Sequence, residues 1–334
     1  MSLRWGIVGP GAIARVFVES LRAAQAGEVG FVCGRKLPTA SAFCAELGGE
    51  PTADLQALLD DPSTRAVYIA TPHPFHHAAA RAALRAGKAV LCEKPLTTDP
   101  LCTRELIDCA RETGQPLVEA WMYRTHPQVA RLFELVHAGA IGRPVRVEAH
   151  FGFEAAFDPT HRLFAPELGG GGILDVGGYP ISFALGVARA ANVDGPPRLV
   201  AAAGELAPTG VDLHAEATLH LADGFEAHLA VSLGRELGRA ARVIGERGTL
   251  SLADPFLPEG RRHGRVGQLL VETETGTRTE ELVAPHDCFA LEALEVARLV
   301  AAGEVGPSFP LVGHAETMAI AGLLDAWRRE LGAR

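Results

Sequence analysis

The stretch LRWGIVGPGAIA, residues 3–14, decides the fold of this chain. Residues 3–8 (LRWGIV) are a short apolar run, which predicts a buried strand. Gly9 and Gly11 follow at once, and residues 12–26 then carry apolar side chains at helical spacing. A strand, a glycine-rich turn and a helix in this order are typical of the first βαβ unit of a dinucleotide-binding domain.

Each position of the G-x-G-x-x-A pattern has a physical reason. Gly9 permits the tight turn, Gly11 lets the backbone approach a pyrophosphate, and Ala14 is small enough for close packing of the helix on the strand. The amino terminus of the helix favours the negative charge of the phosphates. A merely structural turn is the alternative, since a single match of this kind is weak. The residues predicted to bind the cofactor here are Gly9, Gly11, Ala12 and Ile13.

The chain up to about residue 119 alternates short apolar strands with helices. Crossover helices between such strands place them in a parallel, doubly wound sheet. We predict further strands at residues 29–33, 66–70, 89–92 and 116–119, and helices at residues 40–47, 77–85 and 103–113.

In the rest of the chain, apolar and polar side chains alternate with a period of two residues. Residues 145–153 (VRVEAHFGF), 213–221 and 225–233 alternate apolar and polar side chains, which is typical of an antiparallel sheet covered on one face only. Further strand-like pieces lie at residues 240–252, 268–275 and 279–284. The helices predicted to cover the apolar face are residues 173–190 and 289–302.

This change of pattern divides the chain into two domains. We predict an α/β fold in which residues 1–123 form a Rossmann domain with a doubly wound parallel sheet. Residues 124–334 are predicted to form an α+β domain with an open, mostly antiparallel sheet. A carboxyl-terminal helix at about residues 314–331 could pack on either domain.

Composition and charge exclude several classes of protein. The chain has 334 residues, a hydrophobic fraction of 48% and a net charge of −9, which argues for a globular chain and against a partner that is a nucleic acid or an anionic membrane. No apolar run reaches the roughly 18 residues of a membrane helix, and the six cysteines form no C-x-x-C pair. We expect a cytoplasmic protein with free thiols and a small-molecule substrate.

The residues after the second strand bear on the choice between NAD and NADP. NAD-binding sites usually place an acid there to bind the ribose hydroxyls. This chain has Cys33-Gly34-Arg35-Lys36 instead, and two adjacent cations suit a 2′-phosphate. We therefore predict NADP as the cofactor, bound by Arg35 and Lys36, with NAD as the alternative. The same pair could be an ordinary solvated loop, or Arg35 could stack on the adenine.

Two further loops leave the carboxyl ends of predicted strands, the edge at which open α/β sheets bind ligands. Thr71, Pro72 and His76 follow the third strand, and we predict that they contact the cofactor, although His76 could serve only to begin a helix. The tripeptide EKP at residues 93–95 follows the fourth strand. A lysine at that edge is a candidate for catalysis, and an ordinary surface lysine is the alternative.

Motifs in a fixed order resemble the Gfo/Idh/MocA family, which includes glucose–fructose oxidoreductase and inositol dehydrogenase. After the glycine-rich turn they are ATPHPFHH (70–77), GKAVLCEKPL (87–96), EAWMYRTHP (119–127) and ELGGGGILDVGGYPIS (167–182). The tyrosine-containing DVGGYPIS and EAWMYR pieces look most like the branch of dihydrodiol and D-xylose dehydrogenases. The resemblance implies an NAD(P)-dependent oxidoreductase.

The resemblance also implies roles for individual residues. Lys94 matches the catalytic lysine beside the nicotinamide, Glu93 matches the acid that helps to orient that site, and Asp175 matches the acid that contacts substrate hydroxyls. Tyr179 stands where this branch carries the tyrosine that donates or accepts a proton. The residues that match the lining of the same pocket are Tyr123, Arg124 and Arg162.

These residue types suit the chemistry. Removal of a hydride from a carbinol carbon requires a base for the hydroxyl proton, which Tyr179 can accept while the Lys94 ammonium stabilises the alkoxide. Asp175 and Tyr179 are four residues apart at the start of a predicted helix, so they face the same way. The alternatives are Asp175 as a helix N-cap and Tyr179 as a wedge that packs at the domain interface.

We therefore expect an enzyme that transfers a hydride between NADP and a sugar, polyol or dihydrodiol-type substrate. A nucleotide-sensing regulator without turnover and an NAD-dependent glycosidase are the alternatives. We also expect a homodimer or homotetramer formed through the open sheet, with a solvated face as the alternative. The glycine run at residues 169–172 lacks the ending of a phosphate-binding loop, and His214, His220 and His228 lack the further ligands of a metal site.

Overall fold

The computed structural model describes residues 3–193, 195–222 and 224–334. These residues form two compact units. The first unit runs to Met122 and also includes His286–Thr317, and the second comprises Tyr123–Pro285 and Met318–Arg334. The break after Met122 lies close to the predicted boundary, whereas the return of residues 286–317 to the first unit differs from the prediction.

The first unit is built on a six-stranded parallel sheet. Its strands are β1 (Leu3–Val8), β2 (Gly27–Cys33), β3 (Glu50–Thr52), β4 (Ala66–Ile69), β5 (Ala89–Cys92) and β6 (Leu117–Glu119). They lie in the order β3-β2-β1-β4-β5-β6. The chain runs outward from β1 in one direction and from β4 in the other, so the predicted doubly wound parallel sheet is confirmed.

The helices that connect these strands are α1 (Ala12–Ala23), α2 (Leu37–Leu47), α3 (Leu55–Asp60), α4 (His76–Arg85) and α5 (Pro100–Thr113). Three of them begin earlier than predicted, and in two of these the first turn contains a proline, Pro38 in α2 and Pro100 in α5. Proline is tolerated there because the amide that it lacks has no partner inside a helix. The short elements β3 and α3 were not predicted.

The second unit contains an eight-stranded sheet. Its strands are β7 (Pro144–Glu154), β8 (Arg198–Leu206), β9 (Asp212–Ala222), β10 (Phe225–Ser232), β11 (Gly234–Gly245), β12 (Gly248–Leu252), β13 (Val266–Thr273) and β14 (Gly276–Val283). They lie in the order β14-β13-β12-β11-β7-β10-β9-β8, and every neighbouring pair is antiparallel except β7 with β10. The predicted mostly antiparallel sheet is confirmed, and the strand predicted at residues 240–252 is in fact part of two strands.

Helices α6 (Pro127–His137) and α7 (Gly178–Ala190) pack on this sheet. The cover predicted from residues 173–190 is confirmed by α7, whereas α6 and the edge strand β8 were not predicted. The sequence of β8, RLVAAAGEL, carries consecutive alanines, which are depleted in strands. Its strand conformation is stabilised by pairing with β9.

The last two helices are α8 (Cys288–Ala302) and α9 (His314–Leu331). Helix α8 packs on α1 and β5 in the first unit, so the prediction that residues 289–302 cover the second sheet is wrong. Hydrophobic spacing identifies the buried face of a helix but does not identify the element that covers it. Helix α9 contributes its first residues to the first unit and the rest to the second.

The other face of the eight-stranded sheet carries the polar members of the alternating pattern. Glu148, His150, Glu216 and His228 surround a shallow groove of about 390 Å³ on this face. The apolar members Val147, Ala149 and Phe151 are buried, as the alternation predicts.

One apolar segment, residues 166–190, has the length and hydropathy of a membrane span, and its most apolar 18-residue window is entirely buried within the protein. A core helix of a folded unit has the same properties, so the segment gives only weak support for a membrane span.

Candidate active site

The glycine-rich turn contacts the carboxyl end of β4. Gly9 has a φ of +92°, and a Cβ there would lie 2.8 Å from the Ala70 carbonyl and from the Thr71 amide nitrogen, so only glycine fits. Gly11 is exposed, and a Cβ on it would meet nothing within 4 Å. Among the described residues no side chain caps α1. Within the described part of the chain, the first amides of this helix therefore have no side-chain acceptor at its amino terminus, which suits a site for a pyrophosphate.

Arg35 and Lys36 lie between β2 and α2, and both side chains are exposed. Neither forms an ion pair with another residue in the part of the chain that the structure describes. Cys33 ends β2, and burial raises the pKa of its thiol, which keeps it neutral. The charged side chains between β2 and α2 are therefore the two accessible cations of Arg35 and Lys36.

His76 is fully buried at the start of α4. Its Nδ1 lies 2.9 Å from the Pro95 carbonyl oxygen and its Nε2 lies 2.8 Å from the Thr71 carbonyl oxygen. The imidazole thus joins the loop after β4 to the loop after β5, and burial lowers its pKa. Because both ring nitrogens are already used, a direct contact between His76 and the cofactor stays a prediction that these contacts do not favour.

Lys94 is half-buried at the carboxyl end of β5, and its loop is held on both sides. The Tyr68 hydroxyl donates a hydrogen bond of 2.5 Å to Glu93 Oε1. The Leu96 amide donates a hydrogen bond of 2.8 Å to Glu119 Oε1. The backbone that carries the candidate catalytic lysine is therefore fixed by buried contacts within the first unit.

Two buried carboxyls near this loop were not singled out from the sequence. Glu119 ends β6, and burial raises its pKa. Glu292 lies on α8, and its pKa is raised well above its usual range, first by burial and then by the nearby Glu93. A carboxyl that stays protonated can lie close to Glu93 without charge repulsion.

In the second unit, Asp175 lies within a single π-helical turn, Ile173–Gly177, that leads into α7. Its side chain is buried, and its Oδ1 accepts a hydrogen bond of 2.9 Å from Nη1 of Arg162. The Asp175 amide donates to the Gly171 carbonyl, so Asp175 lies inside the helical turn and is not its N-cap. Such π turns are frequent at functional sites.

Tyr179 follows in the first turn of α7, within a cluster of aromatic rings. Its ring centroid lies 5.2 Å from that of Phe151, 5.3 Å from that of Phe256 and 5.8 Å from that of Tyr123. The side chain is 8% exposed. Packing on several sides restricts the ring to one orientation.

Tyr123 and Arg124 are fully buried against α7. The Tyr123 hydroxyl lies 2.7 Å from Ser182 Oγ, and Nη1 of Arg124 donates a hydrogen bond of 2.8 Å to the Ser182 carbonyl. The Arg124 guanidinium also lies 4.9 Å from the centroid of the Phe133 ring. Both side chains support the helix that carries Tyr179, and their predicted role in lining the pocket stays a prediction.

The histidines of the eight-stranded sheet make local contacts with acids. His214 Nε2 lies 3.4 Å from Glu216 Oε1, and His228 Nε2 lies 3.3 Å from Glu226 Oε2. Across residues 3–193, 195–222 and 224–334 no group of three or more side chains is arranged to hold a metal ion.

The predicted site residues thus form two sets. In the first unit, the turn at residues 9–11, Thr71 and Lys94 lie at the carboxyl ends of neighbouring strands. In the second unit, Arg162 and Asp175 are paired, and Tyr179 follows on the same helix. Sequence reasoning did not single out Glu119, Glu292 or the buried Asp212 of β9. Glu119 begins the EAWMYRTHP motif, whereas no local motif marks the other two.

Comparison with protein families gives two matches. Residues 3–120 match the family described as "Oxidoreductase family, NAD-binding Rossmann fold", and residues 129–251 match the "GFO/IDH/MocA C-terminal domain".

Curated and solved proteins extend this similarity to nearly the whole chain. A trans-1,2-dihydrobenzene-1,2-diol dehydrogenase of Mus musculus is 30% identical, with 99% of this chain and 98% of that protein covered. The D-xylose 1-dehydrogenase (NADP(+)) 2 of Haloferax volcanii is 31% identical, with 97% and 96% covered. The crystal structure of KijD10, a 3-ketoreductase from Actinomadura kijaniata in complex with NADP and TDP-benzene, superposes with a TM-score of 0.87 at 29% identity, with 99% and 98% covered.

Proposed function

This chain belongs to the GFO/IDH/MocA family of oxidoreductases, and from that premise we propose that it interconverts a hydroxyl and a carbonyl group on a sugar, polyol or dihydrodiol-type substrate with NADP. The observation that carries the proposal is the position of Lys94 at the end of β5, in a loop held by Tyr68, His76 and Glu119. The named relatives that act on a dihydrodiol and on D-xylose support the substrate class.

We propose that the first unit binds the cofactor through the open amides at the start of α1. Arg35 and Lys36 favour NADP over NAD because two exposed cations match the charge of a 2′-phosphate. The KijD10 complexes contain NADP, which agrees with this preference. When bound, the cofactor supplies or accepts the hydride.

The chain's own residues transfer the proton and stabilise the charge on the substrate oxygen. In the oxidative direction Tyr179, reacting as the phenolate, accepts the hydroxyl proton and becomes neutral, and the Lys94 ammonium stabilises the negative charge that develops on the substrate oxygen. Asp175, oriented by Arg162, accepts hydrogen bonds from other substrate hydroxyls and so fixes which carbon reacts. In the reductive direction Tyr179 returns the proton.

We also propose that the protein is a cytoplasmic enzyme that self-associates. We propose that residues 124–285 hold the substrate and that two or four copies associate through the polar face of the eight-stranded sheet. The mixed lining of its groove, with Glu148, His150 and several alanines, is less charged than a purely solvated face. The six cysteines are all free thiols, as is usual in a reducing compartment.

The test is turnover on a panel of aldoses, polyols and trans-dihydrodiols with NADP or NAD, followed by the absorbance of the reduced cofactor. Lys94→Ala and Tyr179→Phe are measured in parallel, with Lys94→Arg as the variant that keeps the positive charge. We expect NADP-dependent turnover that both first variants abolish and that Lys94→Arg retains in part. Tight NADP binding without turnover on any substrate would refute the proposal and favour a nucleotide-sensing protein.

A further inference from the structure

A buried acid outside the proposed site contacts the turn that precedes Asp175. Asp212 begins β9 and is 1% exposed. Its Oδ2 accepts a hydrogen bond of 2.7 Å from the Ile173 amide. Its Oδ1 has no hydrogen-bond partner among the described residues. Nothing in the proposed chemistry requires an acid here, so the cost of burying it needs a structural reason.

The glycines of the turn allow the backbone to approach this carboxylate. Gly171 has a φ of +108°, and a Cβ on it would lie 2.3 Å from Asp212 Oδ1. A Cβ on Gly172 would lie 3.2 Å from Oδ2. At Gly171 only a residue without a side chain lets the first amides of the helix reach the carboxylate, whereas a Cβ on Gly172 would make a tight contact with it. The glycine run is thus fitted to a fixed acid.

The Ile173 amide, which Asp212 binds, lies two residues before Asp175, the proposed substrate-binding acid. Ile173 is the first residue of the π-helical turn, and the Asp175 amide donates a hydrogen bond of 3.0 Å to the Gly171 carbonyl. Any shift of residues 171–173 therefore moves Asp175, and it also moves the start of α7, which carries Tyr179. The first amides of a helix lack partners within the helix, and an acidic side chain is a strong acceptor for them.

We propose that Asp212 is a positioning residue, which fixes the turn at residues 171–173 and so holds Asp175 and Tyr179 in their working orientation. The proposal rests on the proposed function, because positioning is defined relative to the reaction at those two side chains. Asp212 itself contacts neither substrate nor cofactor in this account.

The protonation of Asp212 provides a second test of the proposal, through the pH dependence of the reaction. Burial raises the pKa of Asp212 to about 6, against hydrogen bonds from the Ile173 and Gly172 amides and the charge of Arg328 on α9. Protonation below that pH neutralises the acceptor of the Ile173 amide and weakens the hold on the turn. The acid limb of the wild-type pH profile for kcat/KM should therefore contain a step near pH 6. Asp212→Asn, which replaces the carboxyl with a side-chain amide, should remove this step.

The test compares Asp212→Ala and Asp212→Asn with the wild type in the full-length protein. Asp325→Asn is the matched control, since Asp325 pairs with Arg329 on the surface of α9. We expect Asp212→Ala to lower kcat at least tenfold while the Kd for NADP changes less than twofold. Asp212→Asn should retain more activity, because its side-chain oxygen can still accept from Ile173, and should lack the step near pH 6. Gly171→Ala should resemble Asp212→Ala.

Amide hydrogen exchange tests the same contact without turnover. In Asp212→Asn and Asp212→Ala we expect faster exchange at residues 171–176 with unchanged exchange in β10 and in the last turn of α7. Wild-type kcat and unchanged exchange in both variants would overturn the proposal, as would a uniform rise in exchange across the second unit, which would mean a general loss of stability. If the wild type shows no turnover, the proposed function fails, while the exchange pattern still decides whether Asp212 holds this turn.

Discussion

Tyr68→Phe removes one hydroxyl group and leaves the rest of a buried ring in place. The Tyr68 ring stacks on Phe17 with centroids 4.0 Å apart, and this packing is unaffected by the change. What is lost is the hydrogen bond of 2.5 Å from the hydroxyl to Glu93 Oε1. Hydrogen bonds to charged groups contribute about 1.5–3 kcal/mol, and Glu93 is only half-buried, so water replaces part of the loss. We therefore expect a cost of about 1–2 kcal/mol in the free energy of unfolding.

The same substitution should also affect the reaction, because Glu93 precedes Lys94 in the loop. A cost of about 1.4 kcal/mol in orienting this loop corresponds to roughly a tenfold loss in kcat. Tyr123→Phe is the matched control, since it removes a buried hydrogen bond of 2.7 Å between two neutral hydroxyls in the second unit. Such a bond contributes about 0.5–1.5 kcal/mol.

The assay is urea denaturation of both variants, combined with steady-state kinetics once a substrate is known. We expect a larger fall in the urea midpoint for Tyr68→Phe than for Tyr123→Phe. A Tyr68→Phe protein with the stability and kcat of the wild type would show that the contact with Glu93 does not hold the loop.

Three further predictions concern charged groups. The pKa of Glu292 is higher in the folded than in the unfolded state, so its contribution to stability is present at low pH and is lost as the pH rises. Glu292→Gln should therefore raise the urea midpoint at pH 8 more than at pH 5. Equal shifts at the two pH values would contradict this. Arg35→Ala should weaken NADP binding about tenfold, roughly 1.4 kcal/mol, and leave NAD binding nearly unchanged in titrations, whereas equal losses would mean that Arg35 does not bind the 2′-phosphate. Arg162→Ala breaks an ion pair whose arginine side chain is 49% exposed, so stability should fall by less than about 1 kcal/mol while kcat/KM falls at least tenfold. An unchanged kcat/KM would remove Arg162 from the site.

The sequence predicts those parts of the molecule that depend on local patterns. The run at residues 3–14 identifies β1, the glycine turn and α1, because a buried strand, a tight turn and an amphipathic helix each need particular side chains at fixed spacing. The alternation at residues 145–153 identifies β7 in the same way. Lys94 was singled out because it follows a recognisable strand and because the EKP motif at residues 93–95 matches the Gfo/Idh/MocA family.

The parts that sequence reasoning missed depend on contacts between distant residues. Asp212 binds an amide 39 residues away, and Glu119 binds one 23 residues away, and neither spacing leaves a local pattern. Helix α8 was assigned to the wrong sheet because its apolar face would suit either one. The Ile173 amide at the start of the π-helical turn donates a hydrogen bond to the carboxylate of Asp212, which the segment itself does not contain.

The most direct test of the central claim is single-turnover kinetics of wild-type protein, Lys94→Ala and Tyr179→Phe with saturating NADP and a substrate from the panel. Groups that transfer a proton or stabilise developing charge typically contribute about 10²–10⁴-fold to the rate. We predict that each variant binds NADP as the wild type does and reduces it at least about 100-fold more slowly. Hydride transfer at the wild-type rate in either variant would contradict the assignment of that residue to the reaction.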